Sequence, residues 1–156
     1  DPPRAERMKR SPRGPAVDIS SSVRRLMVSR VRVREAAIAA LKAERVREAM
    51  LSITFVGRAA ISGLNRRYLG HRGPTDVISF GLGRPGNRGA VIGDIYICPE
   101  IARDNAKRQG VPIGEEILRL VVHGTLHVLG HDHPSGALRT TSPMWRRQER
   151  ILARVL

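Results

Sequence analysis

Three histidines, His123, His127 and His133, carry the spacing most suggestive of chemistry in this chain. His123 and His127 are four residues apart within a stretch that reads as helix. Residues so spaced share one face, with Cβ atoms about 5–6 Å apart. One zinc ion can span that gap, since Zn–N bonds are about 2.0–2.1 Å. Gly130 lets the chain leave the helix with positive φ, and His133 follows closely enough to reach the same ion. Three protein ligands would leave a fourth position for water, whose pKa zinc lowers to about 7. The plainer explanation for one histidine on an apolar helix is a hydrogen-bonded core residue. Here four of the five histidines fall within the eleven residues 123–133. Burying three imidazoles without a metal would leave several ring nitrogens to satisfy. The expectation is therefore one Zn2+ per chain on His123, His127 and His133. His131 is expected to face outward or toward substrate.

The elements that must position these residues follow from periodicity and turn residues. Ala16–Ser21 alternates weakly, as a first strand would. Val31–Ala49 carries a helical stripe through Val33, Ala37, Ile38 and Leu41. Leu51–Val56 reads as a strand, Arg58–Tyr68 as a helix, Asp76–Leu82 and Val91–Cys98 as strands. Gly83–Gly89 is rich in turn residues. Pro99 suits the first turn of a helix that Gly110 ends. Glu115 and Glu116 favour the positive end of the next helix dipole. That helix is apolar enough to be largely buried and stops near Gly130. Pro134–Ser142 reads as a loop and Pro143–Val155 as a last, basic helix. Interspersed helices and strands predict an α+β single domain with a small mixed sheet over residues 16–156. Residues 1–15 read as a disordered basic arm.

The chain has 156 residues, of which 41% are hydrophobic and 3% aromatic, so an aliphatic core is expected. Its 28 basic and 14 acidic residues give a net charge of +14. A field of that sign attracts polyanions, although arginine-rich surfaces also arise without a nucleic-acid partner. Cys98 is the lone cysteine, so no intrachain disulfide can form. This fits a cytoplasmic location, and no apolar run predicts a membrane span.

The spacing H-x3-H-x2-G-x2-H also occurs in metzincin proteases, which place a glutamate after the first histidine as general base. Gly124 stands there in this chain and argues against proteolysis. The segment HGTLHVLGHDH is instead similar to the HGxLHLxGxDH signature of the YbeY family. These are single-strand-specific endoribonucleases of ribosomal RNA maturation and ribosome quality control. LSITFV, LNRRYLGHRGPTDVISF and GDIYICPEIARDNA resemble family segments in the same order, and Met144 and ERILA resemble its C-terminal helix. The resemblance spans about residues 16–156. It implies a mixed four-stranded sheet, zinc on the three histidines and metal-dependent cleavage of RNA, with the 16S 3′ end and the small ribosomal subunit as partners. No DNA or membrane partner is expected.

One departure bears on catalysis. The family usually carries an arginine after the tyrosine of the 64–80 segment; here that position is Leu69, and Arg72 replaces a usual acid. Charge developing on a phosphorane needs a nearby cation. Arg72 is the first candidate, with a solvated surface role as its competitor. Arg66, Arg67 and Ser79 are candidates for substrate binding, and Thr75 for phosphate. Asp132 suits the role of holding a ligand imidazole's second N–H, or of capping a loop. Asp94 suits a base or, more simply, a turn. Arg146, Arg147, Arg150 and Arg154 are candidates for backbone contacts. With so few aromatics, base stacking cannot dominate RNA binding. Two other functions stay open. One is a non-catalytic zinc-binding ribosome factor, and the other a metalloprotease-like hydrolase, against which Gly124 weighs.

Overall fold

The computed structural model describes residues 14–83 and 89–156. Most of the expected basic arm and of the Gly83–Gly89 turn lies outside the described residues. The elements run β1 (Ala16–Ser21), α1 (Arg30–Ala43), β2 (Ala49–Phe55), α2 (Arg58–Leu69), β3 (Val77–Gly81) and β4 (Val91–Ile97). They continue with α3 (Pro99–Gln109), α4 (Ile113–Val128), a 3-10 helix (Gly136–Thr141) and α5 (Pro143–Ala153). The sheet has four strands in the order β1-β2-β4-β3. β1 and β4 both pair parallel to β2, and β3 pairs antiparallel to β4. The mixed four-stranded α+β domain expected from the sequence is the fold observed.

Boundaries are set by local chemistry. Ser29 caps α1 by accepting from the Arg32 N–H at 3.2 Å, and Ser142 caps α5 in the same way toward Trp145. Pro99 and Pro143 occupy first-turn positions, where a missing N–H costs nothing. The helix expected over Val31–Ala49 ends sooner. Glu44 closes α1, Arg45 takes φ 57°, and Ala49 opens β2 opposite Val91. Strand pairing there overrides the weak helical pattern. Asp94, expected at a turn, sits inside β4 opposite Ser52 and Phe80. The loop expected over Pro134–Ser142 contains the 3-10 helix.

The main core joins one sheet face to α1, α4 and α5. Leu51, Ile53, Phe55 and Ile95 meet Leu41, Ile117, Leu118, Val121 and Leu126, all fully buried. Each such side chain contributes about 1.5–3 kcal/mol by leaving water. Successive strand side chains point to opposite faces, so Ile78 faces the other side from Ser79. There it joins Val56, Ile61 and Cys98 in a smaller cluster under α2.

Helix α4 is the central element and packs on α1, α3, α5, β3 and β4. Gly124 explains how closely it can lie. A Cβ at this position would stand 2.8 Å from Ile95 Cγ2 and 3.0 Å from Ser79 Oγ. The position faces the sheet, so a longer side chain here would separate α4 from β4. The missing protease glutamate is thus a packing requirement of this fold.

Candidate metal centre

His123 and His127 project from the last two turns of α4, and the chain then reverses to return His133. The reversal uses Gly130 at φ 99°. The His131 N–H donates to the Leu126 carbonyl at 3.0 Å, a six-to-one closure of the helix end. The three imidazoles consequently converge. Their ring centroids lie 4.5, 5.0 and 5.0 Å apart, and one ligand atom from each falls within 4.8 Å of the others.

Each ring is held at Nδ1. His123 Nδ1 donates to Gln148 Oε1 at 2.6 Å. His127 Nδ1 donates to the His131 carbonyl at 2.8 Å, and His133 Nδ1 to the Pro134 carbonyl at 2.9 Å. A carbonyl can only accept, and Gln148 uses its own amide N–H to reach Glu149 at 3.1 Å. All three protons therefore sit on Nδ1, and every Nε2 presents a lone pair. His123 Nε2 and His127 Nε2 are only 3.0 Å apart. Two lone pairs at that distance repel unless a cation lies between them. Zinc bonds of about 2.0–2.1 Å in tetrahedral geometry place ligand nitrogens roughly 3.3 Å apart. The donor set, the tautomers and the spacing all fit such an ion.

Electrostatics favour the neutral, ligating form. Burial pushes the His123 imidazolium down to about 3, against the Gln148 hydrogen bond, and the charges of His127, Arg139 and His133 act in the same sense as burial. Burial also lowers His127. His123 is buried, whereas His127 and His133 are half-exposed, so the cluster has an open side. Among the described residues the metal-competent group comprises these three ligands. A structural zinc site normally has four protein ligands.

The other candidates distribute as follows. Asp132 accepts from the His133 backbone N–H at 2.8 Å, so it orders the loop and holds no imidazole. His131 does not simply face outward: its ring pairs with Glu44, which also takes Arg147 at 2.6 Å. Burial opposes ionisation of Glu44, but the hydrogen bonds from His131 and Arg147 outweigh it and lower the carboxyl. Glu44 thereby joins the end of α1 to the histidine loop and to α5. Ser79 Oγ lies against α4 beside Gly124. Arg66 and Arg72 line a recess beside α2, together with Ser62 and Gly73, that none of the histidines lines. Arg67 is exposed near the end of α2, and Thr75 Oγ1 lies 3.4 Å from Asp76.

Gln148 was the residue that motif spacing did not single out. It is fully buried on the α5 stripe of Met144, Ile151 and Leu152. One amide in an otherwise apolar stripe is the sequence signal for it. Behind it, Glu149 takes a two-pronged contact from Arg119 at 3.0 Å, and Arg119 also reaches Glu115 and Glu116. Beside this chain of contacts lies a cavity of about 430 Å³ that reaches His123.

Residues 19–156 match the family model described as endoribonuclease YbeY. The chain belongs to the YbeY family. A YbeY endoribonuclease of Beutenbergia cavernae is 45% identical over 93 residues, 55% of this chain and 62% of that protein. One from Mycolicibacterium paratuberculosis is 39% identical over 113 residues, covering 67% and 63%. These alignments span about three-fifths of either relative's length. A YbeY endoribonuclease of Syntrophus aciditrophicus is 30% identical over 139 residues, 87% of each chain. A solution structure from Thermotoga maritima shares the fold, with TM-score 0.59, 24% identity and coverage of 89% and 88%.

Proposed function

We propose that this YbeY-family chain is a zinc-dependent, single-strand-specific endoribonuclease. Its proposed role is cytoplasmic: maturation of the 16S ribosomal RNA 3′ end and ribosome quality control, on the small ribosomal subunit. The observation that carries the reading is the three-histidine centre, whose Nε2 lone pairs converge on one point with an open side. When bound there, zinc supplies Lewis acidity toward water or a phosphoryl oxygen.

The chain's own groups prepare that chemistry. Gln148 and the carbonyls of His131 and Pro134 fix the tautomers. Burial keeps His123 neutral. Gly124 brings the helix against the sheet and denies the site the carboxylate a peptide hydrolase of this spacing would use. The net charge of +14 favours a polyanionic substrate. No helix among the described residues is long and apolar enough to cross a membrane.

The test offers the zinc-loaded protein a 16S 3′-end RNA fragment as single strand, the same fragment as duplex, and casein. Cleavage of the single strand alone, abolished by chelator and restored by zinc, is the expected result. A zinc-loaded protein that leaves the single strand intact, or cuts the duplex equally well, contradicts the proposal.

A further inference from the structure

The cavity beside His123 contains a cation that the fold leaves uncompensated. Arg139, in the 3-10 helix, lines it together with His123, Gln148, Arg119 and Trp145. Arg119 is neutralised by Glu115, Glu116 and Glu149. Arg139 has no ion pair among the described residues, and its Nε is buried without a hydrogen-bond partner. Its guanidinium lies 5.6 Å from the centre of the Trp145 ring. A cation over an aromatic face is held in place but keeps its N–H donors. A buried donor with nothing to donate to is uncommon in a folded protein and calls for an explanation. The acids lining the same cavity are engaged by amides of its own wall. Asp76 takes Asn105 at 3.1 Å and Glu116 takes Gln109 at 3.1 Å.

We infer that Arg139, braced by Trp145, binds a phosphate of the RNA strand next to the metal centre. The inference rests on the endoribonuclease reading for the identity of the strand. The guanidinium fork matches a phosphate's oxygens and keeps its charge at any working pH. From the wall it shares with His123, it supplies the positive charge that a phosphodiester needs as negative charge grows on its oxygens. Arg66 and Arg72 lie in a different recess, and Arg108 of α3, which also lines this cavity, donates to the Asn105 side-chain oxygen, so among the described residues Arg139 is the lining cation held by neither an acid nor an amide.

Trp145 is the single tryptophan of the chain, so its fluorescence reports on Arg139 directly. Zinc-loaded wild type, Arg139→Gln and Arg139→Lys are titrated with a 2′-O-methyl oligoribonucleotide, whose intactness after each titration is checked on a gel because water is the nucleophile of the proposed hydrolysis. Tryptophan emission is followed across a salt series. Wild type is expected to show an emission change on binding. Arg139→Gln is expected to bind about tenfold more weakly at low salt, and its log–log salt dependence to be shallower by about 0.7, one single-strand phosphate contact. Arg139→Lys keeps the salt slope because it keeps the charge. In cleavage of the natural RNA, Arg139→Gln loses about 10²–10³-fold in kcat at unchanged zinc content. Equal affinity, slope and kcat in wild type and Arg139→Gln overturn the inference, even if the wild type cuts RNA well. If the wild type cuts nothing but binds the oligonucleotide through Arg139, the phosphate site stands and the nuclease reading falls.

Discussion

Gln148 holds its side-chain oxygen 2.6 Å from His123 Nδ1, so the tautomer of a ligand on α4 is dictated from α5. The α5 amide is itself oriented by Glu149, and Glu149 by Arg119 on α4. The two helices thus fix the same ring nitrogen through one chain of contacts. Gln148→Met keeps volume but removes the acceptor. Metal affinity is expected to fall about 10–100-fold, the usual cost of losing such a partner. Competition with a chromogenic chelator measures this, and unchanged affinity would show that Gln148 is filler.

Gly124→Ala puts a methyl 2.8 Å from Ile95 Cγ2 and 3.0 Å from Ser79 Oγ. The helix must shift away from β4, costing about 1–3 kcal/mol as overpacking does. The urea midpoint should fall accordingly. A variant as stable as wild type would mean that α4 has slack the packing does not show.

Gly130→Val addresses the reversal. A β-branched residue at φ 99° is strained by at least about 1–2 kcal/mol. The turn also sets the His131 carbonyl that holds His127. Both stability and zinc affinity are therefore expected to drop, whereas a variant strained elsewhere would lose stability alone.

The same convergence explains what the sequence makes legible. Pattern and spacing predict the helix over 99–109, the central helix and the grouping of His123, His127 and His133, because those depend on local periodicity. The end of α1 is not local: Ala49 joins a strand because Val91 and Met50's partner Ala16 are there to pair. Gln148 lies 25 residues from the histidine it serves, and no spacing rule connects them. His131 acts through its backbone carbonyl, which any residue carries, so its side-chain type gives no hint of that role.

Chelated protein should lose stability in acid. His123 sits at about 3 in the folded state against 6.5 for a free imidazole. Between those values the unfolded chain binds the extra proton, so stability falls as pH drops through 6.5 toward 3. Burial pushes Glu116 up to about 6 from 4.5, which works in the opposite sense: it costs stability as pH rises from 4.5 through 6. The histidine shift is the larger, so the net trend is loss in acid. Glu116→Gln removes the opposing contribution and should be more stable than wild type at pH 7 by on the order of 2 kcal/mol, with little difference at pH 4.5. Urea midpoints at the two pH values test both signs.

The central claim is that one metal ion on three histidines makes this protein a nuclease. Zinc content by mass spectrometry and cleavage of a single-stranded ribosomal RNA fragment, read on the same preparations of wild type and His127→Ala, test it most directly. The account predicts about one zinc per wild-type chain with cleavage, and a folded variant lacking both. A variant without zinc that cuts RNA at the wild-type rate, or a zinc-loaded wild type that cuts none, would contradict it.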